Sequence, residues 1–159
     1  MKRVLLSLSA AIVLLFSVNL NAQTYINEDF NNFLDSITPP LASGWKNIDS
    51  ISPSIGQIWR FDNPNPRTFI APIAGRAATL DSDWYGTGVS QDAYLSSPNF
   101  DATLATSVFL EFDHIHRDLN NVADVEVFDG TNWVIVASYG AITNNQPNRV
   151  VIDISTHVA

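Results

Sequence analysis

The chain has 159 residues, eight Lys and Arg against sixteen Asp and Glu, and a formal net charge of −8. So acidic a surface repels nucleic acid and anionic membranes, and it favours neutral ligands or divalent cations instead. There is no cysteine, which excludes disulfide staples and thiol catalysis.

The first element is not expected to belong to the fold. Met1-Lys2-Arg3 is a short basic start, Val4 to Val18 is apolar apart from serines, and Leu20-Asn21-Ala22 offers a small residue at a cut. This is the layout of a secretory signal peptide over residues 1–22. The apolar run falls short of the about 20 residues that span a bilayer. The expected product is secreted or held at the cell surface, with no membrane insertion after signal removal. Residues 23–159 keep all sixteen acids and carry a charge of about −10. Their 137 residues make one domain able to bury a core of its own. Thirteen of the acids are Asp, a residue suited to turns and cation sites more than to helix interiors.

Beyond residue 22 no stretch keeps apolar residues at helical spacing for three turns. Short alternating runs predict strands at 24–30, 45–48, 57–61, 76–80, 93–97, 107–116, 122–128, 132–138 and 149–154. Residues 62–75 hold three prolines and read as a loop, and Asp129-Gly130 between two alternating runs signals a hairpin. Many short strands between turn signals predict an all-β sandwich.

Residues 111–118, EFDHIHRD, raise the question of a metal or acid–base site. Strand alternation places Val108, Leu110, Phe112, His114 and His116 on one face, with Glu111, Asp113 and Arg117 on the other. The two imidazoles lie on one side, about 6–7 Å apart at Cα. A pair so spaced ligates zinc only with a third ligand from another strand. The other reading is a partly buried, hydrogen-bonded histidine pair at a strand end. If 107–116 pairs with 122–128, Glu111, Asp113, Asp124 and Glu126 share an outer face, an unfavourable set unless Arg117, Arg149 or a cation offsets it.

Two further features lie in DSDWYGTGVSQD, residues 81–92. Asp81, Asp83, Gly86 and Asp92 fall on positions 1, 3, 6 and 12 of the calcium-loop pattern, although Tyr85 takes the place of an expected Asp or Asn. Trp84 and Tyr85 are adjacent aromatics on a turn, suited either to stacking on a sugar face or to folding back on the core. Trp45, Trp59 and Trp133 are expected in the core. There is no G-x-S-x-G elbow and no H-E-x-x-H pair, so the chain is not expected to be an enzyme.

Taken in order, EDF, PPLASGWKNID, IWRF, DAYLSSPNFD, SVFLEFDHIHR and VEVFDGTNW resemble the MAM-like jelly-roll domains of secreted bacterial surface proteins, the cleaved-adhesin or choice-of-anchor-J group. The matching stretches are Glu28 to Phe30, Pro40 to Asp49, Asp92 to Pro98, Leu110 to His114 and Asp129 to Trp133. The resemblance implies a jelly-roll β-sandwich of two antiparallel sheets over 23–159. It also implies bound calcium, with Glu28, Asn31 and Asp49 near the group's N-terminal cation site, although Asn31 stands where the group has an acid. Relative to that group the chain is expected to lack its last strands and a sorting domain, and a longer parent resembles clients of type IX secretion. The function expected is an adhesin-like module that binds an extracellular glycan or protein. The alternatives are a noncatalytic accessory domain of a secreted peptidase and a polysaccharide-active enzyme.

Overall fold

The computed structural model describes residues 23–51, 56–73, 75–86, 90–117, 121–140 and 144–158. The proposed signal segment and positions 87–89 of the calcium-loop pattern lie outside them. Among the described residues no helix is long and apolar enough to cross a membrane.

The fold is all-β. Strands β1 (Lys46–Asp49), β2 (Ala93–Ser96), β3 (Phe109–His116), β4 (Val122–Phe128), β5 (Trp133–Gly140) and β6 (Asn144–Asp153) are joined by one helical turn, α1 (Ser82–Tyr85), and two short 3-10 turns. They form three antiparallel pairs, β1–β2, β3–β6 and β4–β5. The predicted strands at 45–48, 93–97, 107–116, 122–128 and 132–138 appear nearly where alternation puts them. The last begins earlier than expected, at Asn144. The runs at 57–61 and 76–80 make only a single bridge, Arg60 to Thr79. Residues 24–30 form no strand, and the run ends in a local turn. The Glu28 carboxylate accepts the Phe30 N–H at 2.7 Å, and Phe30 sits at φ 59°. A bulky residue pays for that left-handed conformation in steric strain.

Strand pairing corrects one expectation. The partner of β3 is β6, with Asp113 opposite Arg149, and β4 pairs with β5. The four acids of β3 and β4 therefore do not meet across a ladder. Arg149 donates to both Asp113 oxygens at 2.9 Å and lies 3.3 Å from Glu111. Asp124 instead accepts the Ser138 hydroxyl of its own hairpin at 2.6 Å.

The alternation along β3 holds. Leu110 of β3 and Ile152 of β6 pack with Val127 of β4 and Val136 of β5 around buried Ala102, Val108 and Ile154. The two hairpin-like pairs thus face each other across one core, as in a sandwich. A β-bulge between Val125 and Glu126 leaves Val136 and Ala137 both half-buried, since the extra residue breaks strict alternation. A second cluster serves the N-terminal half. Phe33 and Phe61 are fully buried, with ring centroids 4.6 Å apart; Phe30 and Trp45 meet Phe33 and each other edge-on, and Phe30 stacks on Phe61.

Candidate functional site

The loop before β2 carries the most organised polar cluster. A four-residue helix such as α1 has no stability of its own, so its neighbours must hold it. Asp81 caps it by accepting the Asp83 N–H. The Arg67 guanidinium donates to Asp81 Oδ2 at 2.7 Å and Oδ1 at 2.8 Å, and to Asp83 Oδ2 at 2.6 Å. A planar fork gripping one carboxylate in two places is the strongest form of such a contact. It holds the Asp81 carboxyl below the usual carboxylate range and raises the Arg67 guanidinium further. Arg67 is itself positioned by Asn63, whose side chain accepts the Arg67 N–H and donates to its carbonyl.

The tip of α1 is fixed in the same way. The Tyr85 hydroxyl donates to the Ile58 carbonyl at 2.6 Å and accepts the Ile58 N–H at 3.2 Å. Burial raises its pKa. The Arg60 guanidinium lies 5.3 Å from the centroid of the Trp84 ring, in cation–π range, and is held by Asp62 at 2.6 Å. Trp84 keeps 47% of its surface exposed. The adjacent aromatics therefore divide their tasks: Tyr85 is a structural pin, and Trp84 is presented to solvent.

Asp81 and Asp83, two of the calcium-loop acids, do come together, but around an internal cation. Asp92 lies apart from that grip. Its carboxylate is exposed, and its carbonyl accepts the Ser50 N–H. Glu28, Asn31 and Asp49 are engaged with backbone. Beyond the Glu28 contact, Asn31 Oδ1 accepts the Arg76 N–H at 3.3 Å. Buried Asp49 accepts the Ile51 and Gln57 N–H groups, each at 3.0 Å. Among the described residues no three His, Asp or Glu side chains gather as a metal-ligand group. Calcium takes six to eight oxygens, and Glu28, Asn31, Asp49, Asp81 and Asp83 as folded present oxygens to N–H donors, so the arrangement does not fit that ion without rearrangement.

The histidines follow the core-facing row. His116 is buried. The ring of Tyr139, from β5, lies 4.4 Å from His114 and 6.4 Å from His116, centroid to centroid. The Nε2 atoms of both histidines are buried without a hydrogen-bond partner among the described residues. At Nε2 the expected hydrogen bonds are absent among the described residues, and both imidazoles instead lie tilted against the Tyr139 ring. Burial, and secondly the charge of His116, lower the His114 pKa.

Three residues escaped the sequence reading. Arg67 lies in a loop, where nothing in the pattern couples it to acids fourteen and sixteen positions on. Arg76 donates to the Phe33 and Phe61 carbonyls at 3.1 and 3.0 Å, tying both sides of the aromatic cluster together. Trp133, expected in the core, is 58% exposed. Its outward place follows from period two, since Val134 takes the inward position beside it.

Comparison with protein-family models, curated proteins and solved structures finds no match to this chain.

Proposed function

We propose that the chain is an exported recognition module, acting outside the cell, that binds a glycan or a protein through its loops and makes or breaks no bonds. In its finer form the proposal is a MAM-like jelly roll, aided by calcium, and carried in a longer parent to the surface by type IX secretion. The face-to-face packing of β3–β6 on β4–β5 supports a sandwich; the jelly-roll strand order is part of the proposal.

The observation that carries this reading is Trp84. A large aromatic surface on a loop costs solvation, and rigid aromatics on loops are the usual anchors of recognition surfaces. Here the ring is set over Arg60, on a turn locked by Asp81, Arg67 and the Tyr85–Ile58 bonds. Such pre-organisation lowers the entropy lost on binding. Were calcium to bind, Asp81 and Asp83, once released from Arg67, or Glu28 would be the residues to hold it.

A glycan and matrix-protein array, run with calcium and with a chelator, tests the reading. The expected result is capture by at least one ligand class, weakened about tenfold or more by Trp84→Ala, in line with the loss of an anchor residue. No capture on either array would remove the function proposed. Capture that ignores the chelator, with an unchanged melting temperature in millimolar calcium, would remove only calcium.

A further inference from the structure

The same outward placement that exposes Trp133 builds a second surface, on which Trp84 is not among the lining residues. Phe128 and Trp133 are direct cross-strand partners at the ends of β4 and β5. Their ring centroids are 5.4 Å apart, at 52°. Such a pair stabilises a hairpin, yet Phe128 stays 49% and Trp133 58% exposed. The connecting turn is rigid: Asp129 Oδ1 accepts the Thr131 and Asn132 N–H groups at 2.8 and 2.7 Å, the Asp129 N–H returns to the Asn132 carbonyl, and Gly130 supplies φ 95°. The two rings therefore stand on a fixed platform.

Across from that platform a cleft of about 510 Å³ opens, lined also by Lys46, Ser96, Ser97 and Asn99. The volume is in the range of small-ligand sites. Lys46 is exposed and, among the described residues, makes no ion pair, although the chain carries twice as many acids as bases. The Ser96 and Ser97 hydroxyls each donate to the next carbonyl along the chain, which leaves their oxygens as acceptors. Gly44 and Pro98 also line the cleft. Gly44, at φ +72°, lies so near Pro98 that an added Cβ would come within 2.9 Å of the proline Cβ.

We propose that this cleft is a saccharide subsite, in which a pyranose ring stacks its C–H face on Trp133, while Phe128, tilted 52° to that ring, bounds its edge. Lys46 and Asn99 donate to its ring-substituent oxygens, and the serine oxygens accept from its hydroxyls. An aromatic platform beside a row of donors and acceptors matches the two-sided chemistry of a sugar, apolar on its face and polar at its rim. The shared feature of the ligand is the pyranose; its oxygens come either from hydroxyls alone or from a uronate carboxylate facing Lys46. This inference rests on the recognition function proposed above and adds the site and the ligand class.

Calorimetric titration of the purified protein with neutral gluco-oligosaccharides and with uronic-acid oligosaccharides of equal length tests it. Binding of either series, reduced at least tenfold by Trp133→Ala and retained by Trp133→Phe, is the expected result. Asn99→Ala, which leaves the hairpin untouched, should weaken binding as well, and melting temperatures guard against loss of fold. A uronate preference that Lys46→Gln abolishes identifies the carboxylate source; equal binding of both series identifies hydroxyls. Oligosaccharide binding insensitive to Trp133→Ala and Asn99→Ala overturns the subsite and leaves the function standing. Capture of matrix proteins with no oligosaccharide bound overturns the saccharide assignment alone. Failure of both arrays and titration overturns the function and the subsite together.

Discussion

Replacing Arg67 by Gln removes the cation from the α1 turn and leaves its two carboxylates uncompensated. The Asp81 side chain is only 11% exposed, whereas Arg67 is 43% exposed and Asp83 55%. The Asp81 contact therefore dominates. A hydrogen bond to a charged group contributes about 1.5–3 kcal/mol when well shielded, which the exposure of Arg67 reduces to about 1–2 kcal/mol. The Asp83 contact adds about 0–1 kcal/mol, as exposed pairs do. For a domain of this size the total of about 1–3 kcal/mol corresponds to a fall in Tm of about 3–10 °C at pH 7. The fall should depend on pH. The folded pKa of Asp81 is depressed, chiefly by the Arg67 hydrogen bond, so its contribution is full above the unfolded value of about 3.9 and vanishes as pH drops through the folded value. Wild type and R67Q should converge in acid. Freed of the guanidinium, Asp81 and Asp83 should also gain more Tm from millimolar calcium than they do in wild type. Differential scanning fluorimetry over pH 2.5–7, with and without calcium, measures all three effects. An R67Q protein that melts with wild type at pH 7, or as far below it at pH 2.5 as at pH 7, would falsify the account of the turn.

Two predictions concern the core. Phe33→Ala empties a site that is fully buried and packed on Phe61, Phe30 and Trp45; it should cost about 3–5 kcal/mol, read by urea unfolding, and a loss under 1 kcal/mol would mean the aromatic cluster is not a core. Burial lowers the folded pKa of His114, so its neutral form stabilises the fold above the unfolded pKa of about 6.5 and that stability is lost as pH falls below it. Melting temperature should thus drop between pH 7.5 and 5.5, and His114→Phe should flatten the drop; an unchanged slope in the variant would place the titration elsewhere.

Trp133 and Trp45 show how far the sequence could be read. Both are tryptophans at predicted strands, and composition alone sent both inward. Period two separates them: Trp133 flanks inward-facing Val134, while Trp45 precedes β1 and turns onto Phe30 and Phe33. The loop acids teach a related lesson. Asp81 and Asp83, two positions of the calcium-loop pattern in 81–92, lie together because a capped turn fixes residues two apart. The pattern pointed to an external ion because the internal cation, Arg67, arrives from a separate loop.

What the sequence determined by itself was the local order. Alternation set the faces of β3, with histidines inward and Glu111 and Asp113 outward, and Asp129-Gly130 set the β4–β5 hairpin, since both follow from backbone geometry over a few residues. Which strand lies beside which was decided only by tertiary structure. Asp113 meets Arg149, and His114 meets Tyr139, because distant segments fold over a shared core. Such long-range pairing depends on burial and charge summed over the chain, which no short window of residues contains.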